Sequence, residues 1–345
     1  MFENKERSDI DNLGEFGLID HLTKNIQLTQ PTTTKGVGDD AAVLDFSDKK
    51  TLISTDLLLE GIHFDLAYTP LKHLGFKAIQ VNLSDIYAMN GTASQVTVSL
   101  GLSSKFPIEA VEELYEGMLL ACKQYNVDIV GGDTSASKQG LVISVTSIGY
   151  AAEKDITYRH TAQEGDLICV SGDLGAAYVG LQLLEREKQI FLENPQIQPD
   201  LEGKDYIIER QLKPEARQDI IFLLKELAIK PTSMIDVSDG LSSELIHICT
   251  KSNKGCNLYE EKIPLDPMTY DTARSFNLDP AVCALSGGED YELLFTIKQG
   301  DYDKIKANPD ITVIGHITEP EAGMNLISRS GNVHALKAQG WNAFK

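Results

Sequence analysis

Two periodicities run through the chain, one of two residues and one near 3.6. Residues 95–102 alternate through Val96, Val98, Leu100 and Leu102, the pattern of a strand with one buried face. Residues 141–150 alternate in the same way. Residues 51–54 form a β-like stretch and predict a strand that ends at Thr55 and Asp56. Residues 127–130 predict a short strand running out into Gly131, Gly132 and Asp133. Between these, residues 70–89 carry Leu71, Leu74, Ala78, Val81 and Tyr87 on an irregular apolar face, and Asn90-Gly91 stops it, which predicts a helix. Residues 107–125 predict an amphipathic helix.

Residues 152–165, AEKDITYRHTAQEG, interrupt the pattern, and it then restarts. Residues 166–171 predict a strand, 172–175 a turn and 176–185 a helix. Residues 186–204 are polar with Pro195 and Pro199, which predicts a long surface loop. Helices are expected at 205–211, 215–228 and 241–250, and strands at 234–235, 292–297 and 312–317. Strands and helices mixed in both halves predict an α/β (α+β) chain of two domains, residues 1–152 and 153–345. No repeat of solenoid period is present.

Composition narrows the class. Hydrophobic residues make up 42% of 345 positions, enough for two cores and too many for a disordered chain. No apolar run reaches the roughly 18–20 residues that span a bilayer. The opening MFENKERSDIDNLGEF lacks the apolar segment of a signal peptide, so a cytoplasmic protein is expected. The five cysteines are odd in number, widely spaced and without a CxxC pair, which argues against a disulfide framework or a zinc ribbon. His247, Cys249 and Cys256 read as a helix-face histidine and buried thiols. The 51 acids against 31 bases leave a formal charge of −20, which repels nucleic acid and anionic lipid. A nucleotide would be repelled as well, unless cations mediate, and that directs attention to aspartates.

Several aspartates share one setting, the end of an apolar segment flanked by Gly, Ser or Thr: Asp39 and Asp40, Asp56, Asp85, Asp133, Asp236 and Asp239. Hard oxygen ligands of this kind suit Mg²⁺, which bridges carboxylates to substrate phosphates. Each one alone reads more readily as a cap or turn residue. Adjacent Asp39-Asp40 is harder to explain that way, because neighbouring carboxylates in a glycine-flanked loop repel unless a cation joins them. No GxxxxGK[ST] phosphate loop, HRD or DFG occurs. Ser171-Gly172-Asp173-Leu174-Gly175 reads as a phosphate-cradling turn or as an ordinary strand-to-helix turn.

Gly14-Glu15-Phe16, Val37-Gly38-Asp39-Asp40-Ala41-Ala42, Ser54-Thr55-Asp56, Gly61-x-His63-Phe64, Val81-Asn82-Leu83-Ser84-Asp85, Gly131-Gly132-Asp133, Asp236-Val237-Ser238-Asp239-Gly240 and Ser286-Gly287-Gly288-Glu289-Asp290-Tyr291 resemble, in order, the thiamine-monophosphate kinase family. The resemblance implies a two-domain PurM-like fold: an N-terminal mixed-sheet domain that binds ATP and Mg and pairs in a homodimer, a C-terminal α/β domain, and an active site between them. It implies ATP and thiamine monophosphate as partners, with thiamine diphosphate and ADP as products. It assigns Asp40, Ser54, Thr55, Asp56, Asp85, Asp133, Asp236 and Asp239 to several Mg²⁺ ions, with Asp85, Asp133 and Asp236 at the chemistry. It assigns Tyr115, Gly132, Asp133, Arg159 and Ser238 to ATP, and His63, Glu289 and Trp341 to the thiamine substrate. Trp341 reads either as a stacking wall for a cationic ring or as a plug for the C-terminus. Two rival readings stand beside this one. The first is aminoimidazole ribonucleotide synthetase, weakened by Ser286–Tyr291; the second is a nucleotide-binding regulator without catalysis, weakened by the full set of aspartates.

Overall fold

The structure is a computed structural model and describes residues 21–35, 43–138 and 140–338. Asp39, Asp40, Trp341 and the Gly14-Glu15-Phe16 element lie outside the described residues. The chain divides after Glu153 into two compact units, with Tyr87–Asn90 grouped with the second. Among the described residues no helix is long and apolar enough to cross a membrane.

The first unit begins with a two-stranded ladder of β1 (Thr33–Lys35) and β2 (Val43–Leu44). Its main elements are β3 (Lys50–Leu59), α1 (Leu71–Ala88), β4 (Thr92–Leu102), α2 (Ile108–Tyr125), β5 (Asp128–Ala136) and β6 (Val142–Ala151). The sheet order is β3-β6-β4-β5. Its one parallel pair, β4 with β5, is joined through α2, the crossover that parallel neighbours require. Along β6 every second residue, from Ile143 to Ala151, is buried. Ser147 on that face donates to the Asn82 carbonyl of α1, so this is the helix-covered face. The other face is open, with Ile53 69% and Leu57 49% exposed. In α1, Leu74, Ile79, Leu83 and Ile86 are buried, and so are the polar Gln80, Asn82 and Ser84. A helix enclosed on nearly all sides has no clean apolar stripe, which is why its sequence periodicity is irregular. Gly75 and Gly117 let α1 and α2 touch through their backbones: a Cβ on either would stand 1.9 Å from a carbonyl of the other helix.

The second unit contains β7 (Leu167–Ser171), α3 (Ala176–Glu193), α4 (Asp205–Leu212), α5 (Gln218–Glu226), β8 (Ser233–Asp236), α6 (Leu241–Ser252), β9 (Gly255–Tyr259), α7 (Pro267–Ser275), α8 (Pro280–Ser286), β10 (Leu293–Ile297), β11 (Ile311–Thr318), β12 (Met324–Ile327) and β13 (Val333–Ala335). Its seven strands run β13-β12-β9-β11-β7-β10-β8, antiparallel except β9 with β12. Ile168, Val170, Leu245, Ile248, Leu258, Leu294 and Ile314 make its main core. Val179, Leu183 and Ile207 make a second one where α3 meets α4.

Three sequence expectations change. The strand expected to stop before Thr55 runs on to Leu59, and the one expected to stop at Val130 runs on to Ala136. Asp56 and Asp133 are therefore strand residues, and Asp85 lies inside a helix. The helix expected to end at Glu185 continues to Glu193, because Arg186, Glu187 and Lys188 are good helix formers and the first proline comes only at 195. The long loop shrinks to residues 194–204.

Candidate active site

In the first unit, strand alternation sorts the predicted residues by face. Ser54 and Asp56 point towards α1, where the Ser54 hydroxyl donates to the Asp85 carboxylate. Asn82, fully buried, accepts from the Asp56 backbone N–H at 3.0 Å and donates to the Ala78 carbonyl at 2.9 Å. Asp56 and Asp85 thus stand together beneath the sheet. Burial, with the Asp85 charge added to it, pushes the Asp56 carboxyl up to about 7. Both causes raise it. A divalent ion would oppose them, and that chemistry fits Mg²⁺.

Thr55 points the other way, onto the open face, where it donates to the Val145 carbonyl and accepts from Thr146. Asp133 also belongs to the open face: its row runs Leu57, Ser144, Ser99, Asp133, whereas Asp56 shares a row with Val145, Val98 and Gly132. Three strand steps, about 14 Å, separate β3 from β5. The structure therefore joins Ser54, Asp56 and Asp85 and leaves Thr55 and Asp133 apart from them. Among the described residues no group of three or more His, Cys, Asp or Glu side chains converges to hold a metal. Gly132 is exposed, and a Cβ there would stand 1.9 Å from the Val98 carbonyl. Tyr115 is buried on α2, and burial pushes its hydroxyl up to about 12. His63 closes the turn after β3 by accepting from the Leu59 N–H at 3.0 Å, and Gly61 supplies the left-handed residue at φ 81°. Ahead of β1, the buried Asp128 carboxylate accepts from the N–H of Thr29 and Gln30 and from the hydroxyls of Thr29 and Thr33, fixing the start of the segment that leads to Lys35.

In the second unit, Asp236 ends β8 nearly buried, and the turn Val237–Gly240 enters α6. Ser238 and Asp239 are half-buried there. Burial raises the Asp239 carboxyl, and His247 opposes the rise. Glu244, buried on the first turns of α6, accepts from the Asp239 N–H at 3.2 Å and from the Ser238 hydroxyl at 3.5 Å. Burial pushes it up to about 7, against the Asp239 hydrogen bond and the Arg159 charge. Glu244 thus binds Ser238, Asp239 and Arg159 into one electrostatic unit. Sequence reasoning missed it, because a glutamate in the first turns of a helix is the ordinary complement of the dipole. Cys249 and Cys256 are buried free thiols in the core, as the sequence implied.

Glu289 stands in a turn packed on Val237–Ser238: its N–H donates to the Ser238 carbonyl at 2.7 Å, and the Tyr291 N–H donates to the Val237 carbonyl at 2.9 Å. Asp290 is fully buried. Burial pushes its carboxyl up to about 7, opposed by Arg210 and by the N–H groups of Gly175 and Ala177 at the start of α3. Ser171-Gly172-Asp173-Leu174-Gly175 is therefore a strand-to-helix turn whose helix N-terminus already receives an internal carboxylate. Glu292 takes Ser171, Arg210 and Arg217.

Comparison with known proteins adds the following. The family model "AIR synthase related protein, N-terminal domain" matches residues 38–151. The thiamine-monophosphate kinase of Aquifex aeolicus (strain VF5) is 36% identical over 311 residues, 90% of this chain and 93% of its own length. The solved structure "AaThiL complexed with AMPPCP and TMP" has a TM-score of 0.74 at 33% identity, covering 99% of this chain and 100% of that one. The crystal structure of thiamine-monophosphate kinase from Stenotrophomonas maltophilia K279a has a TM-score of 0.78 at 30% identity, covering 93% and 98%.

Proposed function

Because the chain belongs to the thiamine-monophosphate kinase family, we propose that it transfers the γ-phosphoryl group of ATP to thiamine monophosphate, giving thiamine diphosphate and ADP by one in-line step. The observation that carries this reading is the Asp56–Asp85 pair: Ser54 donates to the Asp85 carboxylate, Asn82 accepts from the Asp56 backbone N–H, and burial with the neighbouring Asp85 charge raises the Asp56 carboxyl. A family relative solved with AMPPCP and TMP supports the choice of substrates.

The acceptor is a phosphate monoester whose second pKa is about 6, so near neutral pH it is already an oxyanion and needs no general base. The difficulty is the repulsion between two anionic phosphates. Asp40, Ser54, Thr55, Asp56, Asp85, Asp133, Asp236 and Asp239 are the residues assigned to Mg²⁺. When bound, these ions screen that repulsion and stabilise charge in the transition state. The chain's own residues bind and orient. Gly132 presents backbone where a side chain does not fit, and Tyr115, Asp133, Arg159 and Ser238 are assigned with it to the nucleotide. His63, Glu289 and Trp341 are assigned to the thiamine moiety. Asp85, Asp133 and Asp236 are assigned to the chemistry, and no residue of the chain is assigned as a nucleophile. The exposed Ile53 and Leu57 on the open sheet face support a homodimer in which a second copy covers that face.

The test is ADP release by purified protein with ATP and Mg²⁺, offering thiamine monophosphate, thiamine or formylglycinamidine ribonucleotide. Stimulation by the first alone is expected; stimulation by the last would transfer the chain to the synthetase reading. A chiral γ-phosphate should emerge inverted, and net retention would overturn the single in-line step.

A further inference from the structure

We propose that Asn82 is a positioning residue for the metal-binding carboxylates: its buried amide pins the β3 backbone at Asp56 to the turn of α1 that carries Asp85. The proposal rests on the reading of Asp56 and Asp85 as Mg²⁺ ligands. Asn82 is not among the residues assigned to metal, nucleotide or thiamine.

The argument begins with what surrounds the amide. Ile79, Leu83 and Ile86 of the same helix are buried, and Asn82 itself is 0% exposed. An amide in such a place costs desolvation that a leucine would not, unless its groups are hydrogen-bonded. Both of them are. The Nδ2 group donates to the Ala78 carbonyl at 2.9 Å, one turn back on α1. The Oδ1 atom accepts from the Asp56 N–H at 3.0 Å. Only one of the two amide orientations serves a carbonyl on one side and an N–H on the other, so its partners fix it. Packing alone would be met by an apolar side chain. What the amide adds is a directional link from helix to strand.

The link falls at one particular place. Asn82 and Asp85 are three residues apart on α1, neighbours on the helix surface. Ser54 and Asp56 are two apart on β3 and share a strand face. The Ser54 hydroxyl donates to the Asp85 carboxylate, and the Asp56 N–H donates to Asn82. Two helix residues thus meet two strand residues. The Asn82 bond uses the Asp56 backbone and not its carboxylate, so it can hold the residue in place whether or not an ion is bound. A different contact lies close by. Ser147 on β6, fully buried, donates to the Asn82 carbonyl at 2.9 Å. It joins the same helix residue to the sheet, at a strand other than the one that bears Asp56.

Asn82→Ala and Ser147→Ala, beside Asp56→Asn and Asp85→Asn, test this. Two quantities are read: binding of Mn²⁺ in place of Mg²⁺, followed by loss of the free-ion EPR signal, and the Mg²⁺ dependence of kcat. Circular dichroism reports folding. Asn82→Ala should weaken Mn²⁺ binding and raise the half-saturating Mg²⁺ concentration, each about 3- to 10-fold, the range of one hydrogen bond. Ser147→Ala also removes a hydrogen bond to Asn82, yet it should keep both quantities within about twofold while melting at a lower temperature. Equal weakening in the two variants overturns the positioning role, since any loosening of α1 would then suffice. Wild-type Mn²⁺ binding in Asn82→Ala overturns it as well. Wild-type binding in both Asp56→Asn and Asp85→Asn overturns the reading of the carboxylate pair, and this proposal with it. If Asn82→Ala does not fold, hydrogen exchange at the Asp56 amide of the unaltered chain decides. A link built into the fold protects that amide as well without Mg²⁺ as with it; protection that arises only with Mg²⁺ overturns the proposal.

Discussion

Replacing Asp56 with asparagine should stabilise the metal-free protein while removing its activity. Burial and the Asp85 charge raise the Asp56 carboxyl from 3.8 to about 7. Below about pH 4 it is protonated in folded and unfolded chains alike, and nothing is lost. Between about 4 and 7 the fold retains a proton that the unfolded chain releases, so stability falls as pH rises, and above 7 the loss is complete. At about 1.4 kcal/mol per unit the loss is about 1.7 kcal/mol at pH 5 and about 4 kcal/mol at pH 8, as upper figures. Asparagine keeps the volume without the charge, and the Asp56 bond to Asn82 uses the backbone N–H, so it survives the substitution. Urea unfolding with a chelator present, followed by circular dichroism, should show Asp56→Asn more stable than wild type, with a gain about 2–3 kcal/mol larger at pH 8 than at pH 5. Added Mg²⁺ should restore stability to the wild type far more than to the variant. The reasoning is refuted if the gain is absent at pH 8 or is the same at both pH values.

Two further outcomes follow from the same unit. Asp85→Asn should lower turnover about 100-fold or more with the circular dichroism spectrum intact; activity near wild type would break the assignment of Asp85 to the chemistry. Gly132→Ala should lower the melting temperature and raise KM for ATP, since its Cβ would stand 1.9 Å from a backbone carbonyl that no rotamer change can move. The stability cost should be about 1–3 kcal/mol, and an unchanged melting temperature would show that β5 is freer than its pairing implies.

The sequence pointed to candidate residues more readily than to where they sit. Alternation located β4 and β6 well, because each buries one face and leaves the other half-open. It misplaced the ends of β3 and β5, because both keep their pairing through polar residues: Thr55 and Asp56 still match Thr146 and Val145, and Asp133 still matches Ser99. A carboxylate within a strand has the same local signature as one at its end, so only the ladder separates the two. β9, α7 and α8 went unread for a different reason. They are short, and α7 and α8 each begin at a proline capped by Asp266 or Asp279, a signal that also marks a turn. Gln211, which donates to the Glu289 carboxylate, and Glu244 were invisible because their partners are 78 and 5 residues away, and neither residue type in a helix implies a destination. The family likeness named Glu289 but not the amide that donates to it.

The glycine contact between α1 and α2 bears on how this site tolerates sequence drift. Gly75 faces the Leu114 carbonyl and Gly117 faces the Lys72 carbonyl, so the spacing of the two helices is set by peptide groups, which have no rotamers to adjust. The depth at which α1 carries Asp85 is correspondingly insensitive to substitutions among the half-exposed side chains of α2, such as Glu113 and Leu120. Variation on that outer surface is mechanically silent at the carboxylate pair, and the placement of Asp85 is anchored by two residues that have no side chain at all.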